Sequence, residues 1–140
     1  MKKSDIRSIV SALDALPLRE CEDREMKIAL IQDRVYLKRI AADIEGDISS
    51  LRSEIIGDKQ EMVNAYFAAA QSKENDKAAE LLPEVKDVIL DFDRASSQML
   101  GQEVDVKIPC RVSERALLDF VVDKAPDAVD VIDVLLLNLT

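Results

Sequence analysis

Three features of this sequence predict a mainly α fold: a long, coiled-coil-like antiparallel helical hairpin, with a small C-terminal module of one short strand and two helices. Apolar residues recur every three or four positions over most of the chain, the period of a helix face. Only 3 Gly and 4 Pro punctuate 140 residues, so the elements are few and long. Aromatic residues make up 4% and Trp is absent, so the core is aliphatic, as in a bundle seam. The expected division is 1–100 for the hairpin and its leading short helix and 101–140 for the C-terminal module, together one domain.

Ser4 is placed to cap a first helix whose Ile6, Ile9, Val10 and Leu13 share a face. Leu16-Pro17-Leu18 ends it, because the residue before a proline is driven out of the helical region. From Glu20 a long helix carries Met26, Leu30, Leu37, Ile40, Ile44, Ile48, Leu51 and Ile55 on one side. Leu37 to Ile48 spans eleven residues, a spacing that favours nearly straight or slightly right-handed packing. This stripe either packs on its own chain or makes an intermolecular coiled coil through Leu37, Ile44, Ile48, Leu51 and Ile55.

Gly57 either ends or kinks that helix, and Asp58 with Glu61 has capping-box spacing for a new one. Met62, Val63, Tyr66, Phe67 and Ala70 continue the stripe in both cases. The polar run Gln71–Asp76 reads as the reversal, and the return helix starts near Ala78 or with Pro83 in its first turn. Its buried face is Val85, Val88, Ile89, Phe92, Ala95 and Met99, with Gly101 where a C-terminal glycine cap belongs. The return helix is about half as long as the outgoing one, so part of the stripe needs other cover.

In Gly101–Cys110, Val104, Val106 and Ile108 alternate with Asp105 and Lys107, the two-residue period of a half-buried strand. Its partner is another copy of itself, the Val129–Leu136 segment, or an outside protein. Ser113 opens the next helix, with Leu117, Leu118, Phe120, Val121 and Val122 on a wide apolar face. Pro126 breaks it and starts the last element, Asp127 to Leu139. A helical wheel puts Asp127, Asp130 and Asp133 on one side, opposite Val129, Ile132, Leu135, Leu136 and Leu139. The β-branched content of this element argues for a strand, but the wheel favours a helix.

A net charge of −9 has the wrong sign for releasing counterions from nucleic acid or for an anionic membrane, so neither is an expected partner. No apolar run is long enough to span a bilayer and no secretory leader is evident. The expected location is therefore cytoplasmic, with Cys21 and Cys110 reduced.

The sequence has no His, which removes the usual near-neutral acid or base. Asp91 and Asp93 flank Phe92 about 200° apart on a helix and cannot converge on one ligand. The series Asp119, Asp123, Asp127, Asp130 and Asp133 lacks the tight glycine loop of a calcium site and reads first as a solvated face, second as an acidic docking stripe. A nucleophilic cysteine needs a histidine or another device to form the thiolate. Arg111 beside Cys110 could assist, but a buried, small apolar cysteine is the stronger reading. No glycine-rich phosphate loop is present. No metal or cofactor is expected, nor enzymatic activity.

The segment Ser11–Arg34, SALDALPLRECEDREMKIALIQDR, followed by LLPEVKDVILDF and LGQEVDVKI, resembles small, uncharacterised phage-encoded helical proteins. These have a short helix, a Leu-Pro-Leu-type turn, a long charged helix and a leucine-rich stretch leading into a Glu-Val strand. Glu22-Asp23 departs from the basic residues expected after the turn. The resemblance implies a phage or prophage context and no particular activity. The functional expectation is a non-enzymatic assembly or adaptor protein forming a homo-oligomer, most simply a dimer. The alternative is an acidic module that binds a basic host or viral protein, with Asp127, Asp130 and Asp133 at its surface.

Overall fold

The computed structural model describes all 140 residues and is mainly helical, with no strand or sheet. Helices α1 (Lys3–Asp14), α2 (Arg24–Ile55), α3 (Gln60–Gln71), α4 (Asn75–Leu100), α5 (Glu114–Lys124) and α6 (Ile132–Leu139) follow in order. Short 3-10 turns lie at Leu18–Glu20, Gly57–Lys59 and Pro126–Val131. The chain forms two compact units, one of Met1–Ile44 with Gln102–Thr140 and one of Glu45–Gly101. One junction between them lies inside α2 and the other follows Gly101.

In α2 the buried residues are Met26, Leu30, Asp33, Leu37, Ile44 and Ile48, with Leu51 and Ile55 half-buried. Leu30, Leu37, Ile44 and Leu51 are seven apart, as are Met26 and Asp33, and Ile48 and Ile55. The eleven-residue spacing read from the sequence is kept as well, since Met26, Leu37 and Ile48 are all buried. Asp33, charged and so left off the stripe, also lies on the buried side, and Ile40 is half-buried like Leu51 and Ile55.

In the unit that joins the two ends of the chain, α1 buries Ile6, Ile9, Ala12 and Leu13 and packs on α6. Its entry is held by Asp5, whose carboxylate accepts the Lys2 N–H at 2.8 Å, so the cap position precedes Ser4. The turn Leu18–Glu20 delays the long helix, which starts at Arg24 after Asp23 Oδ1 accepts the Met26 N–H at 3.1 Å. Ser113 caps α5 as expected, its hydroxyl accepting the Ala116 N–H at 3.3 Å. The last element is helical, first as a 3-10 turn and then as α6, which buries Ile132, Leu135 and Leu139. Val129 is half exposed instead of buried, because a 3-10 turn advances about 120° per residue and a wheel drawn at 100° misplaces it.

The expected strand at Gly101–Cys110 does not form. One isolated antiparallel bridge, Lys2 to Glu103, is all the pairing it has. A strand needs a ladder, and the Val129–Leu136 candidate is itself helical. The two-residue rhythm survives all the same: Val104, Val106 and Ile108 are half-buried, and Asp105 and Lys107 exposed.

In the unit Glu45–Gly101, the end of α2, α3 and α4 pack as a hairpin around Ile56, Val63 and Val85, with Tyr66, Val88, Ile89 and Phe92 against them. Gly57 ends α2 with a φ of +50°, a left-handed conformation that costs glycine nothing. The reversal falls within Gln71–Asp76, where Lys73 is left-handed at a φ of 58°. There the N–H of Glu74 donates to the Ala69 carbonyl at 2.9 Å and that of Lys73 to the Ala70 carbonyl at 3.3 Å, a Schellman ending.

α4 starts at Asn75, so Pro83 lies inside it and not in its first turn. The helix tolerates this because Pro83 and Ala79 are both exposed, and the carbonyl deprived of its donor meets water. Gly101 follows α4 at a φ of −80°, so its expected role as a left-handed cap is not used.

Candidate functional site

α3 contributes Gln60, Val63, Asn64 and Phe67, spaced so that all four share one side of the helix. α4 faces them with Ile89, Phe92 and Asp93, while the end of α2 adds Arg52 and the turn that follows it adds Ile56. Together these residues line a groove of about 260 Å³ on one side of the hairpin. Its floor is apolar, yet Phe67 is 48% exposed and rests edge-on against Tyr66, with ring centroids 5.4 Å apart. The Arg52 guanidinium lies 5.3 Å from the centre of the Phe92 ring, a cation–π contact at the rim.

Charge is unevenly distributed around this groove. The hairpin unit carries six Lys or Arg against twelve Asp or Glu. Only Arg52 and Asp93, one of each sign, reach the groove. On α4 the acids Glu80, Glu84, Asp87 and Asp91 recur every three or four residues, about 170° around the helix from Ile89 and Asp93. Asp91 and Asp93 thus fall on different sides.

The long-helix candidates are distributed by burial. Leu37, Ile44 and Ile48 are buried within the chain, and Leu51 and Ile55 are half-buried, so none presents a free stripe. Val104, Val106 and Ile108 lie together on the inner side of the segment after α4. Asp127, Asp130 and Asp133 are exposed, the first two in the 3-10 turn and the third in the first turn of α6.

A second concavity, of about 280 Å³, has buried Cys21, Met26 and Phe120 at its floor. Glu20, Glu22, Asp23, Asp119 and Asp123 surround it with Lys124. Asp119 pairs with Arg115 at 3.4 Å and Asp123 with Lys124 at 3.8 Å. Burial pushes the Cys21 thiol above its usual range, which keeps it protonated and a poor nucleophile near neutral pH. No group of three or more Cys, Asp or Glu is arranged to hold a metal ion. No helix is long and apolar enough to cross a membrane.

Sequence reasoning missed Asp33, which is fully buried. Its Oδ1 accepts the backbone N–H of Cys110 at 2.9 Å, while Oδ2 has no partner. Next to it the Cys110 thiol donates to Gln32 Oε1 at 2.9 Å. Burial raises the Asp33 carboxyl above its ordinary range, opposed by the Cys110 hydrogen bond and by the charge of Arg111. The available signal was spacing, since Asp33 stands seven residues after Met26.

The chain matches no protein-family model, and neither a curated protein nor a solved structure is similar to it.

Proposed function

We propose that the protein is a non-enzymatic assembly or adaptor protein that self-associates through its helical hairpin, a dimer being the simplest form. The supporting observation is the open groove between α3 and α4, with Phe67 half exposed in a unit that buries only six apolar side chains. A pair of helices covers one seam, and its outer apolar side is satisfied when a second pair completes a four-helix arrangement. A second copy suits the groove because the acids of α4 lie on the far flank. The groove itself offers Arg52 and Asp93, which can pair across a two-fold axis. A cytoplasmic location and a phage-encoded origin belong to the same reading, on the composition and the resemblance given above.

Sedimentation equilibrium tests it. The wild type should dimerise at micromolar concentration, and Phe67→Asp should weaken the dimer about thirtyfold or more, as for an aromatic hot spot. Leu90→Asp, on the outer side of α4, should change nothing. A wild type that stays monomeric at the highest attainable concentration overturns the reading.

The acid-rimmed concavity over Cys21, Met26 and Phe120 favours a second reading, an acidic module that docks a basic protein segment. Such binding should weaken steeply with salt and with Asp119→Asn plus Asp123→Asn. A partner bound equally well by that double variant removes it.

A further inference from the structure

The segment after α4 is fixed at both ends and free in the middle. The Lys3 N–H donates to the Gln102 carbonyl at 3.1 Å, and the Val104 N–H to the Met1 carbonyl at 2.8 Å. Further on, the Cys110 N–H is held by Asp33 at 2.9 Å and the Val112 N–H by the Leu139 carbonyl at 2.9 Å. Between these anchors the N–H groups of Asp105, Val106, Lys107 and Ile108 make no hydrogen bond within the chain. The side chains still alternate between half-buried and exposed. A stretch already held in this manner loses little further freedom when it pairs, which favours binding.

The groups that remain free are divided between the two edges of the segment. Along an extended chain the backbone groups of successive residues point to opposite edges. Gln102 and Val104 turn theirs toward Met1–Lys3, which leaves Asp105 and Lys107 presenting both N–H and C=O on the other edge.

The order of side chains then decides what fits that edge. We propose that Val104–Ile108 is a second self-association surface, pairing antiparallel with the same segment of a second copy about a two-fold axis at Val106. In this register Asp105 of each chain lies opposite Lys107 of the other, so both charge pairs are of opposite sign. Val104 meets Ile108, and Val106 meets its own equivalent. The hydrogen-bonded pairs are those of Asp105 with Lys107, the residues whose groups are free. Pro109, with no N–H to give, falls opposite Glu103 and ends the ladder. The locally balanced charge lets two copies of a −9 chain approach here without like-charge repulsion. An exposed, unpaired edge of this kind is a template for strand addition, and its own sequence is complementary to it.

This surface lies on the unit that joins the chain ends, so it goes beyond the groove reading and can fail independently of it. Val106→Cys in a Cys110→Ser chain provides the test, because the two equivalents at residue 106 form a non-hydrogen-bonded pair at disulfide distance. Mild oxidation should give a crosslinked dimer that the Cys110→Ser parent, left with only buried Cys21, does not form. Adding Asp105→Lys, or Lys107→Asp, places like charges opposite each other and should slow crosslinking about tenfold. Combining the two restores opposite charges and should restore the rate.

A double swap as slow as the single changes overturns the proposal, as does crosslinking no faster than in the parent. A chain that crosslinks only to an added strand-forming peptide also overturns it, in favour of a foreign strand on the same edge. Phe67→Asp should leave the crosslink intact, which separates the two surfaces.

Discussion

The two units are built from similar helices but bury their side chains to very different extents. The unit joining the chain ends has twenty buried apolar residues, and Ile6, Ile9, Leu13, Leu30, Leu37, Leu117, Leu135 and Leu139 are at or near zero exposure. The hairpin unit, roughly two thirds as long, has six, and only Val85 is completely enclosed. The difference is one of layers. In the first unit α1, α5 and α6 pack with the adjoining turns around a common interior. In the second, two antiparallel rods share a single seam, and their apolar sides turn partly outward. Depth of burial thus separates a unit complete in itself from one whose apolar surface is still open.

The contrast can be tested by removing core atoms. Leu135→Ala should cost about 3 kcal/mol in chemical denaturation, the usual cost of a buried leucine whose cavity does not collapse. Phe67→Ala should cost under about 1 kcal/mol in a monomer, because that ring is already half in water. Equal losses would show that the two units are packed alike.

Asp33 sharpens the comparison, since it is the one charged side chain buried in either unit. Asp33→Ala should cost about 1–3 kcal/mol by leaving the Cys110 N–H unpaired. Asp33→Asn keeps an acceptor for that N–H and discards the charge. Because burial raises the folded-state carboxyl pKa, the folded protein holds this proton more tightly than the unfolded chain. The resulting stability is fully present below the unfolded value and is lost as pH rises through the raised folded one. Urea titrations should therefore show Asp33→Asn gaining on the wild type from acid toward neutral pH. A constant difference would mean that Asp33 titrates like a solvated carboxylate.

The hairpin turns give the smallest effects. Gly57→Ala should lose about 1 kcal/mol because its φ of +50° disfavours a β-carbon. Lys73→Gly should gain about 0.5–1 kcal/mol in thermal unfolding, since a left-handed cap suits glycine better than lysine.

What was legible in the sequence was local. Apolar spacing gave the helical class, Pro17 the first break, Gly57 the second and Gln71–Asp76 the reversal, each through the conformation of a few neighbouring residues. What was not legible depended on distant partners. Nothing near Val104–Ile108 says that the ladder stops after one bridge, and nothing near Asp33 says that Cys110 will cover it. Pro83 misled because its cost in a helix depends on whether the orphaned carbonyl reaches water. The groove was half visible. Phe67 was on the predicted stripe, but its outward turn follows from how α3 lies on α4.

The two units also differ in how their residues are ordered along the chain. The hairpin is one uninterrupted stretch, Glu45–Gly101, and during synthesis all of it has emerged before the last helices exist. The other unit must wait. Its Asp33–Cys110 contact bridges 77 positions, and α1 meets α6 only after residues up to Leu139 have been made. Closing such long loops is slow, so on a ribosome the less well covered unit forms first. For that interval the first half of α2 and all of α1 stand without the residues that will bury them, and this is when a nascent chain would most depend on a chaperone.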